Sequence, residues 1–224
     1  MTGCCLCGGN LAWQPPLREL LRWGDVRPPV ICAACQASFA PWPAPHCPGC
    51  GRTSAAGQLC AECQAWQDQF GRLVPVTPCY QYNQAMKDFM HRYKFQGDYQ
   101  LRRVFQAELT ARAGQLGSLV VTVPVSTETM ATRGFNQVNG LLALNRVAAL
   151  KVKGQRKGRQ AEKDRAARLA TPQPFALTKA AQSLAGQSVV LVDDVYTTGR
   201  TFYHAASLLW QVGCTEIRGL VLAS

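Results

Sequence analysis

Four C-x2-C pairs stand before residue 64, namely Cys4/Cys7, Cys32/Cys35, Cys47/Cys50 and Cys60/Cys63. Two thiolates at that spacing on a tight turn take two corners of a tetrahedron, and two such knuckles close a structural Zn²⁺ site with no open coordination position. Eight ligands make two zinc sites. The last two pairs are separated by nine residues and the first two by 24, so the spacing groups them in sequential order, with a crossed grouping as the alternative. Redox use of C-x2-C competes with this reading, but that motif usually appears once, beside a βαβ pattern. Several knuckles also carry the small residues a tight turn needs, as in Cys47-Pro48-Gly49-Cys50-Gly51. Closed four-cysteine sites hold small folds together and rarely catalyse. Residues 1–78 therefore read as a Cys-rich zinc-binding domain that serves as a platform, with Cys5, Cys79 and Cys214 as ordinary thiols.

The chain has 224 residues, 47% of them hydrophobic, enough for one or two domains with a buried core. It shows neither the basic-then-apolar run of a secretory signal nor the roughly 18 consecutive apolar residues of a membrane span. A cytoplasmic protein is expected, and reduced thiols there suit metal ligation better than disulfides. The formal charge of +11 is unevenly spread: residues 151–180 hold nine basic and two acidic groups, a net of +7. Gly154, Gly158, Pro172 and Pro174 punctuate that run, which reads as a basic loop. Such a loop either serves solubility or cradles phosphates.

From Cys79 onward cysteines nearly vanish, and helical and strand patterns alternate, which places 79–224 in an α/β domain with a mostly parallel sheet. Residues 84–95 and 99–113 read as helices, with Met86, Phe89, Met90 and Tyr93 on one face. Residues 119–123 read as a strand, 135–143 as a helix and 147–152 as another strand. Residues 188–193, 201–212 and 216–223 read as strand, helix and parallel strand.

The turn in VVLVDDVYTTGRT (189–201) carries the most chemical information. Thr197, Thr198, Gly199, Arg200 and Thr201 bring hydroxyls and close-approaching backbone N–H groups to a helix N-terminus, where the dipole favours a 5′-phosphate. Asp193 and Asp194 end the strand at its edge, placed to accept hydrogen bonds from ribose hydroxyls and to help hold Mg²⁺ through water. A Gly turn capped by threonines would explain the turn but not two acids beside an anion site. No G-x-x-x-x-G-K-[ST] occurs, which sets a nucleoside-triphosphate P-loop aside.

This segment resembles the phosphoribosyl-diphosphate (PRPP) motif of type I phosphoribosyltransferases. The Cys-rich start, AMKDFMHRYKFQGD (85–98), VPVS (123–126) and RGFNQ (133–137) extend the resemblance to the ComF family over nearly the whole chain. The resemblance implies a type I phosphoribosyltransferase-like fold behind N-terminal zinc fingers. It also implies a diphosphate loop around Val125 and Ser126, and a phosphate contact from Arg133. The segment around Arg156, Gln160, Arg165 and Arg168 is similar to the flexible loop that closes over such sites, although Glu162-Lys163 stands where an apolar residue is expected.

The family resemblance implies a role in handling single-stranded DNA during natural transformation, with a ComF-operon helicase or another uptake or recombination protein as partner. Arg92, Lys94, Arg133, Arg156, Lys157, Arg159, Arg165 and Arg168 are the expected nucleic-acid contacts. His91, Tyr93 and Phe95 among them suit base stacking, with core packing of Tyr93 and Phe95 as the alternative. PRPP or another sugar phosphate, with Mg²⁺, is the expected small ligand. Whether the chain is an active phosphoribosyltransferase stays open, because no base pocket, glutaminase domain or amino-terminal cysteine nucleophile is recognisable. A third reading makes the zinc domain a docking module.

Overall fold

The computed structural model describes residues 3–11, 13, 28–42, 45–54, 57–154 and 172–224. The expected contacts Arg156, Lys157, Arg159, Arg165 and Arg168, and Gln160 with them, lie outside the described residues. In chain order the described elements are α1 (Ala33–Ala37), α2 (Ala61–Phe70), β1 (Val76–Tyr80), α3 (Gln84–Phe95) and α4 (Arg102–Leu116). They continue with β2 (Val120–Thr122), α5 (Thr127–Arg133), α6 (Gln137–Gly140), β3 (Leu150–Val152), β4 (Phe175–Leu177), β5 (Ser188–Val195), α7 (Arg200–Val212) and β6 (Glu216–Ala223).

Four strands form one parallel sheet in the order β1-β6-β5-β2, with β5 and β6 paired along most of their length. β5 is apolar on both sides, as a strand covered on both faces must be. Successive side chains alternate between the two faces. Val189 and Leu191 face one cluster with Phe202, Tyr203, Ala206 and Leu209 of α7, while Val190 and Val192 face another with Met86, Phe89 and Tyr93 of α3 and Phe105 and Leu109 of α4. Each fully buried aromatic or aliphatic side chain contributes roughly 1.5–3 kcal/mol.

The cysteine-rich segment does not stand apart from this core. Cys4, Ile31 and Phe39 belong to the α3/α4 face, and Cys47, Cys50, Cys63 and Val74 to the α7 face. The chain thus places one cysteine group under each side of the sheet. Residue 78, where the composition shifts, falls inside β1, and Pro78 is tolerated because β1 is an edge strand.

Two sequence expectations need adjustment. The helix expected over 135–143 is only Gln137–Gly140: Asn136 caps it, and Gly140 packs so tightly that a Cβ there would meet the Tyr93 hydroxyl. The strand expected over 147–152 is Leu150–Val152, and it pairs antiparallel with Phe175–Leu177 outside the parallel sheet. β1 itself had no separate signal.

Candidate functional site: a threonine turn beside two buried acids

β2 and β5 are parallel neighbours, so their carboxyl ends open at the same edge of the sheet. The loop after β2 is tied in by Val123 N donating to Val192 O at 3.0 Å and by Asn136 Nδ2 donating to Val123 O at 3.2 Å. Ser126 then caps α5, its Oγ accepting from Thr129 N at 3.0 Å. Val125 and Ser126 are half-buried in this loop, beside the end of β5.

The turn after β5 leads straight into α7. Gly199 is its N-cap at φ 78°, a left-handed conformation that favours glycine, and a Cβ there would collide with the Tyr196 hydroxyl and with Trp66. Thr197, Thr198, Arg200 and Thr201 are exposed around it, and Thr198 Oγ1 accepts from Arg200 N at 3.5 Å. The turn is held from outside by Trp66 of α2, whose Nε1 donates to Thr198 O at 2.9 Å while its ring stacks on Tyr203 of α7. This brace was not foreseen: nothing in the sequence marks a tryptophan 132 residues away as a partner of the turn.

Asp193 and Asp194 are both buried at the end of β5. Asp193 Oδ1 accepts from Asp194 N at 2.8 Å. Burial, and secondarily the charge of Asp194, pushes the Asp193 carboxyl up to about 8. Asp194 Oδ2 lies 2.8 Å from Lys94 Nζ, an ion pair between groups only 7% and 18% exposed, and accepts no directional hydrogen bond. The pair offers oxygen donors of the kind Mg²⁺ takes, with an ammonium already against one of them.

The remaining expected contacts are arranged differently from a row of free cations. Arg92 donates to the carbonyls of Leu6 at 2.8 Å and Cys5 at 3.0 Å and pairs with Asp98, so it clasps the first knuckle to α3. Lys94 is committed to Asp194. Arg133 donates from Nε to Lys94 O at 2.9 Å and also bonds Gln137 Oε1, which ties the end of α5 to the end of α3. Its guanidinium carbon is 5.9 Å from the ring centre of Phe95, and His91 lies 5.7 Å away on the same helix. Phe95 is 74% exposed whereas Tyr93 is fully buried, so the two aromatics have separate fates: Tyr93 is core and Phe95 is surface.

The cysteines assemble in sequential order. Cys4, Cys7, Cys32 and Cys35 form one group and Cys47, Cys50, Cys60 and Cys63 another, each with all sulfurs within 4.8 Å of one another. Four ligands at a Zn–S length of about 2.3 Å lie about 3.8 Å apart at the corners of a tetrahedron. Cys7 Sγ to Cys32 Sγ and Cys50 Sγ to Cys60 Sγ are each 3.8 Å. Backbone amides point at the sulfurs, Cys32 N at Cys4 and Cys60 N at Cys47, both at 3.3 Å. A hydrogen bond from Cys63 holds the Cys50 thiol down at about 4, and the same contact together with burial pushes Cys63 up. Burial pushes Cys35 up to about 12, while at Cys4 burial is outweighed by the amides of Cys7 and Cys32, which bring that thiol to about 6. Crowded thiols that cannot all ionise together are what a divalent cation resolves. Arg52 adds charge at the second group, with Nε 3.4 Å from Cys50 Sγ and an ion pair to Glu62.

Residues 118–224 match the phosphoribosyl transferase domain family. The chain is 34% identical over 219 residues to competence protein ComFC of Streptococcus pneumoniae, covering 96% of each protein. It is 28% identical to competence protein ComFC of Bacillus subtilis, covering 94% of this chain and 89% of that one. It is 26% identical to competence protein F of Haemophilus influenzae, covering 84% of this chain and 87% of that protein. A phosphoribosyltransferase-type sheet, two cysteine groups fit for zinc and a full-length match to the competence proteins place this chain in the ComF family.

Proposed function

We propose that the chain is a cytoplasmic accessory of DNA uptake that binds single-stranded DNA and keeps a PRPP-type sugar-phosphate site. The observation that carries the small-ligand half is the exposed threonine turn at the N-terminus of α7, directly beside the buried Asp193/Asp194 pair. A 5′-phosphate on the turn and ribose hydroxyls on the acids are one rigid fragment apart. PRPP bound there would present its diphosphate to the loop around Val125 and Ser126. Mg²⁺, when bound with PRPP, supplies charge neutralisation for that diphosphate.

Exposed Phe95, flanked by Arg133 and His91, supports the DNA half, because an aromatic face among cations accepts any base by stacking. The relatives' names are those of competence proteins, which supplies the uptake context; a partner helicase is what the ComF resemblance adds to the proposal. Among the described residues no helix is long and apolar enough to cross a membrane. Oligonucleotide anisotropy at several salt concentrations tests the reading. Affinity should fall steeply with salt and weaken when Phe95→Ala is introduced or when Lys157, Arg159 and Arg165 are neutralised together. Affinity indifferent to all of these sinks the DNA half.

A working phosphoribosyltransferase is the second reading, favoured by the same acid pair. It requires an acceptor and predicts Mg²⁺-dependent diphosphate release from PRPP that Asp194→Asn abolishes. No release with any base or amine rules it out.

A further inference from the structure

Lys94 is paired with Asp194 at the buried acids beside the threonine turn, and we infer that Lys94 is a built-in substitute for a divalent cation at the acidic pair. The site then receives a ribose phosphate without Mg²⁺ at those carboxylates. This deepens the sugar-phosphate reading above and rests on it.

Three observations support the assignment. The first is distance and burial: Nζ is 2.8 Å from Asp194 Oδ2, with the two side chains 18% and 7% exposed, so the contact is not a loose surface pair. The second is that the backbone carrying Lys94 is anchored. Lys94 sits in the last turn of α3, its carbonyl accepts from Arg133 Nε at 2.9 Å, and the neighbouring Tyr93 is buried with its hydroxyl donating to Gln137 O at 2.9 Å. The side chain therefore starts from a fixed point on α3 that brings its ammonium to Asp194.

The third is the enclosure of Asp194 Oδ2, which is buried with the ammonium against it and so is closed to a metal ion arriving from solvent. A Mg²⁺ ion bound to that carboxylate at about 2.1 Å would have to displace the ammonium and leave a half-buried lysine facing a dication. The lysine therefore neutralises the carboxylate from within the protein and competes with metal there.

The test is the dissociation constant of ribose 5-phosphate, which lacks the diphosphate that would itself recruit metal, measured on the zinc-loaded full chain with and without Mg²⁺. The same titration with PRPP serves as control. For the wild type, Mg²⁺ should change the ribose 5-phosphate value by less than about twofold, because the charge is already compensated. Lys94→Met should weaken binding by about tenfold or more in the absence of Mg²⁺ and recover much of the loss when Mg²⁺ is added, since removing one partner leaves a buried charge unpaired. Lys94→Arg should resemble the wild type.

Electron paramagnetic resonance of added Mn²⁺ keeps the question decidable if Lys94→Met fails to fold. The wild type should leave the free-ion signal intact, and a bound Mn²⁺ displaced by Asp194→Asn would overturn the assignment. A gain of about tenfold or more in wild-type affinity on adding Mg²⁺ would also overturn it while leaving the sugar-phosphate reading standing. No binding of ribose 5-phosphate or PRPP under any condition overturns that reading and this one with it.

Discussion

Asp193 is an acid held against its charged form. Burial and the adjacent Asp194 raise its carboxyl from the ordinary range to about 8, so the folded protein binds a proton there that the unfolded chain releases. For an acid whose folded value is raised, the folded state holds more protons between about 4 and about 8, and stability falls as pH rises through that window. Asp193→Asn should therefore raise the melting temperature more at pH 8 than at pH 5, while weakening ribose binding at both. Melting curves across the window check this, and an equal shift at both pH values would contradict it. Trp66→Phe keeps the stack on Tyr203 but removes the donor to Thr198. A hydrogen bond of this kind contributes about 1 kcal/mol, so sugar-phosphate affinity should drop by roughly fivefold with little loss of fold. The turn after β5 and the two acids at its edge were legible as neighbours because a short local motif carries both. The partners of that motif were not. Trp66 and Lys94 reach the site across the fold, and Lys94 read as a surface cation because Arg92, Tyr93 and Phe95 beside it gave the segment the look of a cationic, aromatic binding surface.

At the scale of elements, the helices and strands with strong periodicity were legible from sequence nearly to the residue, as with Gln84–Phe95 and Glu216–Ala223. Shorter elements depended on tertiary packing that no local pattern encodes. α6 stops where Gly140 presses on Tyr93, and β3 finds an antiparallel partner across the basic segment. α2 is the element that joins the second cysteine group to the turn after β5. It begins between Cys60 and Cys63 of the second group and carries Trp66 to the phosphate turn. Zinc removal should therefore cost sugar-phosphate binding as well as stability. Structural zinc contributes about 10–16 kcal/mol in zinc-finger peptides, so chelation should abolish cooperative unfolding of the second group and α2. Cys63→Ser should mimic this, whereas Cys214→Ser, at an equally buried thiol outside both groups, should lower stability only modestly. Calorimetry of the two variants separates the outcomes, and equal damage from both would contradict a metal role for Cys63.

At the scale of the molecule, the two cysteine groups lie under opposite faces of one sheet, so the cysteine-rich region and the phosphoribosyltransferase-type region share their cores. A composition shift near residue 78 records where the cysteines end, but β1 runs across it. The net charge of +11 acts at this scale too, because a sequence-independent attraction to phosphates sums over the whole surface. Binding to single-stranded oligonucleotides should show a log-affinity against log-salt slope that becomes shallower by about 0.7 for each phosphate contact removed. The central claim, that the acid pair and threonine turn form a live sugar-phosphate site, is tested most directly by thermal stabilisation with PRPP and Mg²⁺. A ligand at a hundredfold excess over its dissociation constant adds about 2.7 kcal/mol, which for a chain of this size is roughly 5–10 °C. A shift of that order in the wild type, lost in Asp194→Asn, is the predicted result; no shift in the wild type, or one that survives Asp194→Asn unchanged, would contradict it.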